Sequence, residues 1–338
     1  VSDFAQSGLI TTLQRLNDAH LPRIETELAG LSVARPIALV LPCHAGDLEK
    51  PALAHIVREL SGAGFLREIV ASLNGLDDAA FVRAREIFAL LPQRVTILRN
   101  ETSGKGGNVR AAFASLAQSG ECAIFATQDC DVASFCRGDL ARLCYAVAEP
   151  RLGYRFAKMY YSRVTDRLYG RVSRLFLAPL LHAIVRVAGH LPLVDFLLSF
   201  RYPLAGEVAM TRELAAALPG TDGWGLEIRQ LCAVFRTVEP REVCQVDGGA
   251  GYDHKHQPAA TALAAMAAEI ARELFTQLAA EGLPADAAFH DAIASAYRRE
   301  AEHALHRSAA LALINGLDFD EPAERAIVTT FAELLEEL

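Results

Sequence analysis

The sequence predicts an α/β fold in which a mostly parallel sheet is flanked by helices, with helical additions at both ends. Three observations carry that expectation: short apolar runs alternating with helical periodicity from residue 36 to 126, a glycine-rich turn opening one of the helices, and an Ala-rich helical tail after Pro258.

Taken in order, residues 4–29 place Leu9, Leu13, Leu16, Leu21 and Ile24 at helical spacing and predict one or two N-terminal helices. After Pro36, the continuous apolar run Ile37-Ala38-Leu39-Val40-Leu41 reads as a buried parallel strand. A helix over 50–63, a strand over 68–73, a helix over 79–90 and a strand over 95–98 continue the alternation. The turn Ser103-Gly104-Lys105-Gly106-Gly107 then leads into a helix to Ala117, and Cys122-Ala123-Ile124-Phe125-Ala126 is a further apolar strand. In such doubly wound sheets, ligands bind at the carboxyl ends of the strands.

After Pro150 an aromatic and basic run (Tyr154, Phe156, Tyr160, Tyr161) precedes a helical region and turn-rich sequence around Pro203, Gly206, Gly223 and Gly225; acceptor recognition is expected here. A strand over 243–246 follows, then helical pieces over 259–281, 285–315 and 321–338 in which nothing reads as chemistry. The expected division is an N-terminal helical segment over 1–34, a nucleotide-sugar half over 35–150, an acceptor half over 151–258 and a helical appendage over 259–338.

Composition excludes several functions. With 338 residues, 52% hydrophobic and 22% charged, the chain can bury a large core. A net charge of −8 without blocks of like charge gives nucleic acid no footprint, so anionic ligands need local cations. Seven cysteines, an odd number without a C-x-x-C pair, indicate a reducing cytosol and no structural zinc. Residues 2–30 lack the pattern of a secretory leader, and His182, Arg186, His190 and Asp195 interrupt the apolar stretch 175–200. A cytoplasmic protein without stable membrane insertion is expected.

Asp129-Cys130-Asp131 follows the strand over 122–126, so both carboxylates emerge at a strand's carboxyl end, where they can hold a hard divalent cation that neutralises a diphosphate. Alone, the tripeptide reads equally as a turn or capping pair. Gly104-Lys105-Gly106-Gly107-Asn108 offers backbone N–H groups, a cation and a helix start, a combination suited to phosphate, but lacks the spacing of a P-loop. Tyr252-Asp253-His254-Lys255-His256-Gln257 supplies two imidazoles, either able to complete a metal shell. Gly223-Trp224-Gly225-Leu226-Glu227 sets an aromatic face suited to sugar beside a carboxylate that also fits a helix's first turn. Gly170-Arg171-Val172-Ser173 offers guanidinium and hydroxyl donors to an anion, or simply a solvated helix face.

In this order the motifs, with Pro203-Leu204-Ala205-Gly206-Glu207 and His254 before Pro258, resemble the retaining GT-A glycosyltransferases (family 81) that make glucosyl-3-phosphoglycerate; the resemblance covers about residues 36–258. It implies transfer of glucose from a nucleoside diphosphate glucose, UDP or GDP, to the 2-hydroxyl of 3-phosphoglycerate, with free glycerate as the nearest alternative acceptor. It also implies a Mg2+ or Mn2+ ion on Asp131 and His254, and a homodimer. The donor would meet Pro42, Cys43, His44, Asn74, Lys105, Asp129 and Cys130; the acceptor would meet Gly170, Arg171, Ser173 and Glu227; Glu227, Lys105 and Asp131 would serve catalysis.

The chain departs from the family on the first loop. Pro42-Cys43-His44-Ala45-Gly46 stands where the family has Pro-Ala-Leu-Asn-Glu, which removes the base-reading carboxylate and leaves Asp47 or Glu49 to replace it. Ser173 replaces the usual Thr, and His256 the usual Asn. Competing expectations are transfer to a polyprenyl phosphate and a sugar-nucleotide-binding regulator without turnover.

Overall fold

The apolar run after Pro36 forms the centre of a strand, Ile37–His44, whose residues alternate between the two faces of a sheet. The computed structural model describes residues 6, 8–101, 104–220, 223–251, 260–284 and 286–337. Among them the strands are β1 Thr11–Leu13, β2 Ile37–His44, β3 Leu66–Asn74, β4 Arg94–Asn100, β5 Ile124–Thr127, β6 Phe156–Ser162, β7 Val208–Thr211 and β8 Val243–Ala250. They form one eight-stranded sheet in the order β1-β8-β6-β7-β5-β2-β3-β4. Every pairing is parallel except those of β7, which is antiparallel to both β5 and β6.

One face carries α1 Leu21–Ala34, α2 Pro51–Ser61, α3 Asp78–Phe88 and α5 Arg137–Ala148, packed on Ile37, Leu39, Leu41, Ile69 and Ile124. The other carries α4 Lys105–Ser119, α6 Ala178–Ala188, α7 Pro192–Leu198, α8 Arg212–Ala217 and α9 Leu226–Thr237, packed with Ala38, Val40, Val70 and Phe125. The tail helices α10 Ala260–Ala280, α11 Ala287–Ile314 and α12 Glu321–Glu336 continue that second core. Tyr297 of α11 is fully buried and donates its hydroxyl to the Leu175 carbonyl at 2.7 Å, which fastens the tail to the π-helical turn Val172–Leu177.

The helical reading of 4–29 needs correction at its start. Thr11–Leu13 is an edge strand beside β8, and the helix begins only at Leu21, because backbone pairing with a buried strand overrides the local leucine spacing. The segment 175–200 is covered by the end of the π-helical turn, α6 and α7, with Leu180, Leu181, Ile184, Leu193, Val194, Phe196 and Leu197 in the core. Among the described residues no helix is long and apolar enough to cross a membrane.

Candidate active site

β5 ends at Thr127, and Asp129-Cys130-Asp131 follows at the carboxyl edge of the sheet. Because β7 runs the other way, the residues leading into it reach the same edge: Val208 pairs with Thr127, and Thr127 Oγ1 donates to the Gly206 carbonyl at 2.6 Å. Lys105, the first residue of α4, places Nζ 2.6 Å from Asp129 Oδ1 and 3.2 Å from Glu227 Oε1. A Cβ at Gly206 would stand 2.0 Å from Lys105 Nζ and 2.8 Å from both Asp129 carboxylate oxygens, so any side chain there must displace the ion pair. Burial works against the Lys105 charge, but Asp129, Glu227 and Glu207 outweigh it and hold its pKa above the ordinary lysine range.

A buried polar layer supports this edge. Lys158 of β6 is fully buried and donates to the Ala205 carbonyl at 2.5 Å; burial pulls its pKa down to about 8. Glu207, also fully buried, accepts from the Tyr161 hydroxyl at 2.9 Å and from Gln128 Nε2 at 3.3 Å. Such a layer fixes the backbone of Ala205 and Gly206 against Lys105.

A cavity of about 480 Å³ opens above it. Lys105, Asp129, Asp131 and Glu227 line it together with Gly170, Arg171 and Ser173, so residues more than a hundred positions apart meet around one space. Trp224 lines it as well, 43% exposed, its backbone N–H donating to Glu269 Oε2 at 2.8 Å. Gly170 has φ +69°, a left-handed turn that swings the chain into Arg171 and the π-helical turn carrying Ser173. Arg171 is no free surface residue: its Nε donates to Glu324 Oε1 at 3.0 Å.

The wall also holds residues that the sequence reading did not single out. Arg163 and Arg167 add guanidinium groups, and the Tyr161 and Tyr202 rings meet at a tilt of 55° with centroids 5.0 Å apart. Leu263, Met266 and Ile270 of α10 make an apolar side. The aromatic and basic run over 154–161 contained Tyr161 without giving it a role; nothing local signalled Tyr202 or the contribution of α10.

Pro42, Cys43, His44, Asn74 and Cys130 do not line this cavity; they sit beside it at the ends of β2, β3 and β5. The Asn74 amide bridges the Cys43 carbonyl (3.3 Å) and the Gly104 N–H (3.0 Å), and Asn108 Nδ2 donates to the same carbonyl at 3.0 Å. These bonds tie the first loop to the glycine-rich turn. His44 turns inward on its own loop, its Nδ1 accepting from Gly46 N–H at 3.0 Å.

Cys43 and Cys130 are joined in a disulfide with Cα atoms 5.7 Å apart, a pairing that the cysteine spacing did not suggest. The pairing of β2 with β5 explains it. Val40 lies opposite Thr127, and continuing that register three residues places Cys43 opposite Cys130. Cys122, Cys136, Cys144, Cys232 and Cys244 remain free.

Neither proposed replacement for the base-reading carboxylate is idle. Asp47 accepts from His44 N–H at 2.9 Å and pairs with Lys50 Nζ at 2.5 Å, while Glu49 pairs with Arg83 at 3.5 Å. His254 and His256 lie outside the described residues, so the second metal ligand is not seen. Among the described residues no group of three or more His, Cys, Asp or Glu side chains is placed to hold a metal ion.

No family model matches the chain. It is similar to the glucosyl-3-phosphoglycerate synthase of Persephonella marina, 34% identical over 99% of this chain and 89% of that one. The chain belongs to the glucosyl-3-phosphoglycerate synthase family. The synthase of Methanococcoides burtonii is 28% identical over 98% of this chain and 88% of its own. The Mycobacterium tuberculosis synthase with Mg2+ and UDP matches with a TM-score of 0.64 and 23% identity, over 82% of this chain and 89% of that one. Its complex with Mn2+, UDP-glucose and phosphoglyceric acid gives 0.64 and 22%, over 83% and 90%. The fold of the family is thus the fold described above, and the chain is a glycosyltransferase.

Proposed function

We propose that this chain transfers glucose from a nucleoside diphosphate glucose to the 2-hydroxyl of 3-phosphoglycerate, retaining the α configuration. The carrying observation is the meeting of Lys105, Asp131 and Glu227 with Gly170, Arg171 and Ser173 around one cavity. Cations stand at both ends of it, as a reaction joining two anionic substrates requires.

Lys105, kept protonated by its carboxylate neighbours, faces charge that develops on the departing diphosphate. Asp131, on the cavity wall just past β5, is the carboxylate for a Mg2+ or Mn2+ ion, with His254 as the imidazole partner. A carboxylate oxygen and an imidazole fit a divalent cation whose other ligands come from a diphosphate. That ion would neutralise the diphosphate. Arg171 and Ser173 hold the acceptor's anionic end, and Glu227 accepts a hydroxyl of sugar or acceptor. The attacking hydroxyl approaches from the face the diphosphate leaves, and no covalent nucleophile is used. A cytoplasmic homodimer belongs to the same reading; the exposed apolar tip of α11, Leu313 and Ile314, supports the dimer.

A donor-by-acceptor matrix with mass detection tests the proposal. Glucose donors with 3-phosphoglycerate should give the glucosyl-3-phosphoglycerate mass; product formed only with free glycerate, or only with a mannose donor, overturns it.

A further inference from the structure

The tail helices, which carried no chemistry in the sequence, place one acid against the acceptor end of the cavity. Glu324, in the first turn of α12, is 6% exposed. Its Oε1 accepts from Arg171 Nε at 3.0 Å, and its Oε2 pairs with Arg174 Nη2. Arg174 is held further by the Ser308 hydroxyl of α11 at 3.2 Å and by the carbonyls of Leu168 (3.2 Å) and Tyr169 (3.1 Å). Arg174 therefore braces the chain just before Gly170, while Arg171 lines the cavity.

The geometry assigns Glu324 as a positioning residue for acceptor recognition: it grips Arg171 by Nε and leaves the two terminal nitrogens to the acceptor's phosphate or carboxylate. A guanidinium bonded on one edge loses little further freedom when its other edge closes on an anion, so the fork is set before the acceptor arrives. The charge count agrees. Arg171 and Arg174 against the single carboxylate of Glu324 leave this cluster with a net positive charge. The opposite role, a built-in anion competing with the acceptor, predicts the opposite change on removal, so one series of measurements separates them.

The inference rests on Arg171 holding the acceptor anion, and its test is built to tell the two apart. Glu324→Gln keeps the shape and removes the charge; Glu324→Ala removes both. Each is compared with Arg171→Lys and with the double variant, measuring acceptor KM, donor KM and the Kd of UDP by calorimetry, the last also reporting a folded donor site. The expected result is an acceptor KM raised about tenfold in Glu324→Gln and further in Glu324→Ala, with donor KM and UDP affinity unchanged. In the double variant, Glu324→Gln should add little to Arg171→Lys, because the two act through one contact. An unchanged or lowered acceptor KM, an equal rise in donor KM, or full additivity overturns the assignment. If Arg171→Lys itself leaves acceptor KM unchanged, it is the reading of Arg171 that falls.

Discussion

In the proposed reading the cavity has a donor end and an acceptor end, and the two are built in opposite ways. The donor end is made from strand ends and one turn: β2, β3 and β5 stop at the same edge, and Lys105 opens the helix after the glycine-rich turn. The acceptor end is assembled from distant pieces, the π-helical turn at 172–177, the wall of α10 and Glu324 of α12. The first arrangement is inherent in a doubly wound parallel sheet, whose strand ends converge whatever the rest of the chain does. The second depends on a helical tail packing correctly onto the second core. Changes at the donor end should therefore act on turnover, and changes at the acceptor end on recognition through contacts that the helical tail supplies.

The largest effect should come from the donor end. Asp131→Ala, His254→Ala or thorough chelation should lower turnover by about a thousandfold or more with the fold intact, since charge on the leaving diphosphate would lose its main stabilisation. Full activity of a metal-free preparation, checked by elemental analysis, would sink the role of Asp131. Next in size is Gly206→Ala. The added methyl would stand 2.0 Å from Lys105 Nζ and must displace it or the Asp129 carboxylate. A misplacement of about 1 Å at a charge-stabilising group costs roughly a hundredfold in kcat. A variant with wild-type kcat would show that Lys105 has room to spare.

At the acceptor end the effect should be smaller and of another kind. Arg171→Lys replaces a two-toothed donor with a point charge and should raise acceptor KM about 10- to 150-fold, the loss of one charge-assisted bond, with donor KM nearly unchanged. A rise in both constants would mean that the two ends are not separable in the way their construction implies.

How much was legible follows the same division. β2, β3, β4 and β5 carry apolar runs in the sequence, and turns bound them, so they and the D-x-D carboxylates could be placed from the residues. β6 was hidden because it carries a fully buried lysine among its tyrosines, and β7 because its apolar run is only Val208-Ala209-Met210, set between Glu207 and Thr211. The Cys43–Cys130 bond depends on a strand register that no local pattern displays. Glu324 looked like an ordinary acidic first turn. Its role rests on Arg171, 153 positions away.

The last prediction concerns base selection, where the donor end departs most from its family. The loop on which the resemblance leads one to expect a base-reading carboxylate carries Ala45 and Gly46, and His44 is turned onto its own loop. Asp47 is bonded to His44 N–H and paired with Lys50, and Glu49 is 74% exposed and paired with Arg83. For either to read a base edge, it must first give up those partners. What remains for the base is backbone and stacking, which discriminate by about 1–2 kcal/mol, or roughly 5- to 30-fold, whereas a dedicated hydrogen-bonding site reaches several kcal/mol. UDP-glucose and GDP-glucose should therefore both serve as donors, with kcat/KM values within about 30-fold. A preference above about a thousandfold would mean that a side chain does read the base. Asp47→Ala and Glu49→Ala, assayed with both donors, would then show which: the variant that collapses the preference marks the reader.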